Sequence, residues 1–326
     1  MTVTGPVSAI GGDAGRDVGR DVGGDVGGGI GRDVSGDVGR DVSGDVCALP
    51  RELLVFEGAR QIADGDCVIA GTGLPLLAGL VAQRTHAPSA RLLIESGVVF
   101  PKVVPTPLSV VDPRIMHAPS KLGSLIESLG GFVQRGLVAT GFLGGAQIDA
   151  RANINSTWIE RGSGRVRLPG SGGANDIASH CATIVVLTSH EKRRFPERCD
   201  YVTSPGFLDG PGARRRAGLN PVRVKVVTDL CVLEGDDTVG ELTVTALMPG
   251  ATVEDVLANT GFTPRVADQL AVVAAPSFEH LALLREVLDP EARYFPERHS
   301  PERHSPERHS PERHSPERLK NGNIDG

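Results

Sequence analysis

The sequence predicts an α/β domain built on an open, mostly parallel β-sheet that is flanked by helices. Short apolar segments alternate with helical patterns through the middle of the chain, which is typical of α/β folds. Apolar runs such as 67–70 and 183–188 match strands that are buried in a sheet. Three strands are expected to end in glycine-rich turns, at 71–75, 141–147 and 169–176, each leading toward a helix.

The two ends of the 326-residue chain differ from this domain in composition. Residues 1–47 are almost entirely Gly, Asp, Val, Arg and Ser, and so much glycine opposes a helix. Residues 296–326 repeat Ser-Pro-Glu-Arg-His, and proline at every fifth position excludes a helix. We therefore expect a disordered tail at 1–47, one domain at 48–295 and a second disordered tail at 296–326. Weak metal binding by the repeat histidines is the less favoured alternative for the second tail.

In the first half of the domain, the patterns predict helix, strand, glycine turn and helix, followed by a strand that contains Glu95. A loose helical stripe covers 53–63, and the turn at 71–75 places Pro75 in the first turn of a helix, where its missing N–H costs nothing. The expected ranges are 67–70 and 92–99 for the strands and 76–86 for the second helix.

In the second half, helices and strands continue to alternate before the pattern changes. Helices are expected at 121–134 and 174–180, with strands at 137–143, 165–168 and 183–188. The segments 222–233 and 241–247 resemble antiparallel or edge strands. Thr252 followed by acidic residues predicts the start of a capped helix, and a last amphipathic helix is expected at 278–288.

Charge, apolar content and cysteines exclude several classes of function. The net charge is −6, and eight Asp and four Arg put −4 of it in the first 47 residues, so no basic surplus points to nucleic acid. No apolar run is long enough for a membrane span. The five cysteines lack CxxC or zinc spacing, so we expect buried thiols, a cytoplasmic protein and no metal site.

Glu95 is the candidate for chemistry. It lies between the apolar run 92–94 and a Ser96-Gly97 break, where a carboxylate at a strand end can act as a nucleophile or a base. The alternative is a structural glutamate that pairs with an arginine or a helix N-terminus. This segment alone favours the structural alternative, and the rest of the chain shifts the balance toward chemistry.

The glycine turns are the second candidate feature. The segment 170–176 places small residues directly before a helix, so its backbone N–H groups are free to hold an anion or a developing oxyanion, although a simple packing turn is the alternative. Gly71 and Gly73 form a weaker motif, because the third glycine of a dinucleotide fingerprint is missing. We interpret five further polar residues as structural or solvated rather than catalytic: Arg84, His86, Ser96, Arg114 and His117.

Several short sequence blocks follow one another in a fixed order along 49–295. They are Gly71-Thr72-Gly73-Leu74-Pro75, Arg84-Thr85-His86-Ala87-Pro88, Glu95-Ser96-Gly97, the run 141–149, Asn153-Ile154-Asn155, the run 168–176 and Val202-Thr203-Ser204-Pro205-Gly206. Together, these blocks resemble the B (β) subunit of family I coenzyme A transferases of the glutaconate and 3-oxoadipate type. One difference is Ala152, which stands where the family usually has a glycine before Asn-Ile-Asn.

The resemblance implies a CoA-transferase β subunit in which Glu95 is the catalytic glutamate. It implies a glutamyl-CoA thioester on this residue, acyl-CoA and dicarboxylic or 3-oxo acids as substrates, no cofactor other than CoA itself, and a separate α subunit in a hetero-oligomer. Gly172, Gly173 and Ala174 are the candidates for oxyanion stabilisation and CoA binding, together with Gly71 and Gly73. The alternatives are a CoA-ester hydrolase of the same fold and a non-catalytic domain that binds sugar phosphates or a partner.

Overall fold

The computed structural model describes residues 48–103, 107 and 112–299. The tail 1–47, predicted to be disordered, lies outside the described residues, as does 300–326. The described chain continues four residues beyond the expected domain end, because Pro296–His299 form a 3₁₀-helix. Arg298 anchors this extension through a 3.0 Å ion pair with the buried Asp289 carboxylate.

The predicted open, mostly parallel sheet flanked by helices is confirmed. In the described residues it has ten strands, in the order β14-β13-β12-β11-β10-β5-β1-β2-β3-β4. The five central strands, from β11 to β2, are all parallel, and antiparallel pairs flank them on both sides. The strands of this sheet are β1 Cys67–Ile69, β2 Arg91–Leu93, β3 Val98–Val99, β4 Lys121–Leu122, β5 Thr140–Leu143, β10 Thr183–Thr188, β11 Arg223–Thr228, β12 Cys231–Asp236, β13 Thr243–Leu247 and β14 Arg265–Val272. Two hairpins lie outside it: β6 Gln147–Ile148 with β7 Ile154–Asn155, and β8 Trp158–Arg161 with β9 Gly164–Arg167.

The helices pack against both faces of this sheet and enclose two large apolar clusters. One cluster contains Ile69, Leu93 and Ile177, and the other contains Val68, Leu92 and Leu77, so successive residues of one strand alternate between the two sides. The helices are α1 Pro50–Ala59, α2 Leu74–Arg84, α3 Ala174–His180, α4 Ala213–Arg216, α5 Val253–Ala258 and α6 Phe278–Ala282, with π-helices at Glu127–Val133 and Leu283–Leu288 and a 3₁₀-helix at Pro113–Met116.

The prediction of a single strand at 92–99 is wrong. The chain reverses at Glu95 and Ser96, and β3 returns antiparallel to β2 with Leu93 opposite Val99. Gly97 permits this reversal, because its φ of 100° lies in the left-handed region that other residues avoid.

Other differences have similar local causes. The helix expected at 121–134 begins later, because Lys121 and Leu122 pair with β3 as an edge strand. The strand expected at 222–233 is a hairpin of two antiparallel strands, β11 and β12. The edge strand β14 and the hairpin strand β8 were not predicted. The helix at 174–180 and the Thr252 cap are confirmed, the cap with a 3.1 Å hydrogen bond from the Asp255 N–H.

Ala152, the departure noted in the sequence, adopts a left-handed φ of 57° and is buried. A glycine would adopt this conformation without steric strain. Gly206 packs directly on it, since a Cβ at position 206 would lie 2.2 Å from the Ala152 carbonyl carbon. Alanine therefore stands at a buried, closely packed turn position whose backbone conformation favours glycine.

A buried histidine joins the ends of three elements on the antiparallel side of the sheet. The His190 ring lies 3.0 Å from the Thr228 hydroxyl through Nδ1 and 2.9 Å from the Thr260 hydroxyl through Nε2, and it stacks on Phe195 at 4.3 Å. Burial lowers the pKa of His190 to about 4, and the nearby Asp229 offsets only part of that effect. The folded protein therefore holds the neutral imidazole at neutral pH.

This histidine makes stability depend on pH below neutrality. Because the folded pKa is about 4 and the ordinary value is 6.5, the unfolded chain binds more protons in that window, and stability falls as the pH falls through it. Above pH 6.5, the neutral His190 is expected to contribute about 3 kcal/mol to the free energy of unfolding. This contribution is lost progressively as the pH falls toward about 4. Urea unfolding from neutral pH down to acid should show the stability gap between the wild type and His190→Gln closing on acidification; a constant gap would contradict this.

Candidate active site

Glu95 lies at the edge where the carboxyl ends of the central strands meet. Ile69 of β1 is in register with Leu93 of β2 on one side and with Gly141 of β5 on the other. Glu95 is two residues beyond Leu93, and Gly71 is two residues beyond Ile69, so the two lie at the same level of neighbouring strands. Ligands bind at this edge in open α/β sheets.

The turn that carries Glu95 is held by backbone and side-chain hydrogen bonds. The Gly97 N–H donates to the Ile94 carbonyl at 3.0 Å, and the buried Ser128 hydroxyl donates to the same carbonyl at 3.1 Å. Gly97 also packs against the next segment, since a Cβ there would lie 2.6 Å from the Ser124 carbonyl carbon. The carboxylate is therefore presented on a fixed turn and is half-buried.

The glycine loop before α3 contacts this carboxylate directly. The Gly173 N–H donates to Glu95 Oε1 at 3.0 Å. A Cβ on Gly172, whose φ is 49°, would lie 3.3 Å from the same oxygen. A Cβ on Gly173 would lie 3.1 Å from Glu95 Cδ and 2.9 Å from a methyl of Leu129. Both glycines are thus required for the close approach of the loop to Glu95.

The other proposed site residues lie nearby without such a contact. The Ala174 N–H donates to the Ser171 carbonyl at 2.9 Å and is already used. Gly73 begins α2 with a φ of 95°, and its carbonyl accepts the Leu77 N–H. Gly71 is exposed at the same sheet edge. The structure therefore brings Gly172 and Gly173 onto Glu95 and leaves the β1 turn beside them.

A second layer of hydrogen bonds holds the glycine loop in place. Ser156 and Gly170 bond reciprocally, with the Gly170 N–H on the Ser156 carbonyl at 2.8 Å and the Ser156 hydroxyl on the Gly170 carbonyl at 2.9 Å. The Thr203 hydroxyl oxygen accepts the Ser156 N–H at 2.9 Å. The Asn175 side-chain amide donates to the Thr203 carbonyl, also at 2.9 Å. The sequence blocks around Asn155 and Thr203 thus support the loop rather than line the site.

The remaining polar candidates lie elsewhere. Arg114 is held by the Asp112 carboxylate at 2.5 Å, and the His86 Nε2 lies 3.1 Å from the Ile62 carbonyl. Arg84 lines a separate surface pocket of about 400 Å³. These positions agree with a structural or solvated role. The four described cysteines are free and buried, and burial raises the pKa of Cys67 to about 11.

Exposed apolar side chains lie beside the turn that carries Glu95. Surface pockets of about 400, 490, 500 and 760 Å³ occur elsewhere on the described residues, and Glu95 lines none of these four. The segment that packs on Gly97 exposes three aliphatic side chains: Leu122 at 59%, Leu125 at 50% and Ile126 at 78%. No helix in the described ranges is long and apolar enough to cross a bilayer.

Comparison with known proteins identifies the family. The model of the coenzyme A transferase family matches residues 57–259. The chain belongs to the coenzyme A transferase family. It is 40% identical over 248 residues to the B subunit of glutaconate CoA-transferase from Acidaminococcus fermentans, covering 74% of this chain and 92% of that relative. It is 35% identical over 236 residues to the B subunit of 3-oxoadipate CoA-transferase from Pseudomonas knackmussii, covering 72% and 91%.

Solved structures extend the comparison of this CoA-transferase family member. The crystal structure of the Acidaminococcus fermentans glutaconate enzyme superposes with a TM-score of 0.71 at 37% identity, covering 76% of this chain and 97% of that one. The decarboxylase AibA/AibB superposes with a TM-score of 0.64 at 28% identity, with the same coverage. Because a decarboxylase shares the fold, the reaction has to be argued from the side chains at the site.

The close fit of Gly173 against Glu95 predicts that alanine substitution will lower CoA-transferase activity much more at Gly173 than at Gly130. Gly173→Ala is expected to lower kcat by about 10- to 100-fold, because the added methyl displaces the carboxylate from its amide donor. Gly130→Ala, on the π-helix that carries Leu129, is the matched control, since a Cβ there meets no atom within 4 Å, and it should change kcat by less than about twofold. Steady-state kinetics of both variants checks this, and equal losses would contradict the close-contact interpretation.

Proposed function

We propose that this chain is the B subunit of an enzyme that moves CoA between an acyl-CoA and a carboxylic acid, with Glu95 as the covalent carrier. The observation that supports it best is the 3.0 Å hydrogen bond from the Gly173 N–H to Glu95 Oε1. It fixes one carboxylate oxygen on an amide donor and leaves the other oxygen for attack on a thioester.

The proposed reaction proceeds through two exchanges on the same carboxylate. Glu95 Oε2 attacks the thioester carbonyl carbon, the C–S bond breaks, and CoA thiolate leaves behind an acyl-glutamyl anhydride. The thiolate then attacks the Glu95 carbonyl carbon, the donor carboxylate leaves, and a glutamyl-CoA thioester remains. An acceptor carboxylate reverses both steps and departs as the new acyl-CoA. No water is consumed, and the overall reaction exchanges one thioester and one carboxylate for another thioester and carboxylate, so it is close to balanced in free energy. The covalent intermediates divide this exchange into smaller steps.

The hydrogen bond from Gly173 has a defined part in this sequence. When thiolate or carboxylate attacks the Glu95 carbonyl carbon, Oε1 becomes the oxyanion of the tetrahedral intermediate. The Gly173 N–H already lies at the 2.7–3.1 Å separation that effective oxyanion donors have. One such donor contributes about 10²–10³ in rate. The absence of a Cβ at positions 172 and 173 leaves room for the incoming groups.

A second, A-type subunit is proposed to complete the site. The relatives are B subunits, and this chain covers 92% of the length of the first of them. We therefore expect the A subunit to be a separate polypeptide. On the described residues, Leu122, Leu125 and Ile126 form an exposed apolar surface beside the Glu95 turn. Such a surface fits a protein interface that would close the cleft over Glu95. The chain alone is then expected to be inactive.

The names of the relatives indicate a class of substrate acids rather than one particular acid. Their names specify glutaconate and 3-oxoadipate, so we propose a dicarboxylic or 3-oxo acid as the acceptor, with CoA as substrate and no further cofactor. We propose the cytoplasm as the location, where acyl-CoA esters are handled.

The test is an exchange assay on the chain assembled with a family A subunit. We expect CoA transfer between acyl-CoA and a panel of dicarboxylic and 3-oxo acids, and a CoA adduct on the Glu95 peptide when acyl-CoA is given alone. Hydrolysis without an adduct would favour the hydrolase alternative, and release of carbon dioxide would favour a decarboxylase. Sugar-phosphate binding by the isolated chain, without either reaction, would favour a non-catalytic domain.

A further inference from the structure

The β8–β9 hairpin stands outside the main sheet and is joined to the loop that holds Glu95. At its base, the Leu168 N–H donates to the Thr157 carbonyl at 2.9 Å, beside the reciprocal pair of Ser156 and Gly170. Gly170 lies three residues before Gly173, which contacts Glu95. Hydrogen bonds therefore connect the hairpin to the carboxylate through one short segment.

One face of this hairpin carries two arginines and an indole ring. Trp158 pairs with Arg167, and Glu160 pairs with Arg165, so these four side chains lie on the same face. The Arg165 guanidinium stacks over the Trp158 ring at 4.0 Å. The Arg167 guanidinium lies 3.4 Å from a Cβ built on Gly170. This face, which we call the arginine face, therefore continues into the glycine loop.

The arginines of the arginine face are available to an anion. Both are exposed, and among the described residues no carboxylate lies within 4.0 Å of either, although Glu160 is on the same face. Arg167 makes a 3.2 Å hydrogen bond to the Thr157 carbonyl, which orients its guanidinium without neutralising it. Arginine recognises phosphate through paired N–H donors, and its charge is retained at all working pH values.

We propose that the arginine face binds the phosphate groups of the CoA nucleotide while the thioester lies at Glu95. This inference rests on the proposed function, which puts an acyl-CoA at the glycine loop. A CoA thioester carries its phosphates at the far end of a long flexible arm, so a cation-rich hairpin that stands outside the main sheet and joins the glycine loop matches them in charge. Binding energy gained there is remote from the reacting atoms and supports catalysis by positioning.

The experiment uses the enzyme assembled with its A subunit and three exposed arginine variants. Arg165→Gln and Arg167→Gln are each expected to raise KM for acyl-CoA about 10- to 100-fold with kcat retained, since each removes charge-assisted hydrogen bonds. Arg161→Gln is the matched control: its pairing with Gly164 places it on the opposite hairpin face, and KM should change by less than about twofold. Glu160→Gln should lower KM by about two- to threefold, because it removes a negative charge from the arginine face.

A second substrate identifies the phosphates as the group recognised. With an acyl-pantetheine thioester, which lacks the nucleotide, the penalties of Arg165→Gln and Arg167→Gln should disappear. Penalties of equal size on both thioesters would overturn the proposal. So would unchanged KM values combined with weaker association of the two subunits, which would make the hairpin a subunit contact.

Direct binding separates this proposal from the reaction mechanism. Calorimetric titration with CoA and with pantetheine needs no turnover, so it reports on the arginine face even if Glu95 proves not to be the carrier. Wild type should bind CoA more tightly than pantetheine, with an affinity that falls as salt rises, and both arginine variants should lose that preference. Equal affinity of the wild type for the two ligands would overturn the proposal.

Discussion

Replacing Glu95 with glutamine is expected to reduce CoA transfer by at least about 10⁴-fold, because a neutral amide cannot attack the thioester. Glutamine keeps the shape of the side chain and an oxygen that can accept the Gly173 N–H, so the fold and the loop should be preserved. The loss should therefore be in kcat. Exchange kinetics of the assembled enzyme, together with the CoA adduct measured by mass spectrometry of the Glu95 peptide, checks both the rate and the covalent step.

Aspartate at the same position is the informative control. Glu95→Asp retains a nucleophile but withdraws it by one methylene from the Gly173 amide, so transfer should fall less than with glutamine and an adduct should still form. Full turnover of Glu95→Gln, or an adduct located on another residue, would refute the assignment of Glu95 as carrier. Unfolding curves of both variants that match the wild type would exclude a loss of structure as the cause.

The sequence predicted the location of this site better than its local shape. Parallel strands bring the turns at their carboxyl ends to one edge, so the turn after β1 could be placed beside Glu95 from the pattern alone. The segment 170–176 follows β9, which lies in a separate antiparallel hairpin, so its contact with Glu95 does not follow from that rule. The reversal at Glu95 was missed, because the apolar residues on both sides of it fit one continuous strand equally well. What decides between the two is the packing of Gly97 on Ser124, a contact between distant segments that a local pattern does not contain.

The supporting residues could not be predicted for the same reason. His190 and Arg214 are both buried and polar, and in the sequence they look like ordinary surface residues. Arg214 is the first of three consecutive arginines, Arg214–Arg216, and only the fold shows which of them points inward. Burial of a charged group is tolerated where backbone acceptors surround it, and such acceptors come from segments far apart in the chain.

Arg214 joins three segments, two of which support the glycine loop. Its guanidinium donates to the carbonyls of Pro205 at 2.8 Å, Gly206 at 2.9 Å and Ala178 at 2.9 Å, and its Nε donates to Asn220 at 2.7 Å. Burial lowers the pKa of this guanidinium below its usual value, and Asp237 partly offsets the shift. Thr203, two residues before Pro205, accepts the Ser156 N–H and so helps to hold the glycine loop. Ala178 belongs to α3, the helix that begins directly after that loop.

Arg214→Met is therefore expected to destabilise the protein by about 3 to 5 kcal/mol, because methionine leaves several buried carbonyls without a donor. Arg214→Lys should recover little of this, since one ammonium group cannot reach carbonyls that the planar fork contacts on several sides. Arg215→Met is the matched control on the same helix turn, where the exposed side chain should contribute less than about 0.5 kcal/mol. Urea unfolding at neutral pH measures all three. Equal small effects of the Arg214 and Arg215 variants would mean that the carbonyls find water instead, and that the loop is held by Thr203 and Ser156 without the buried arginine.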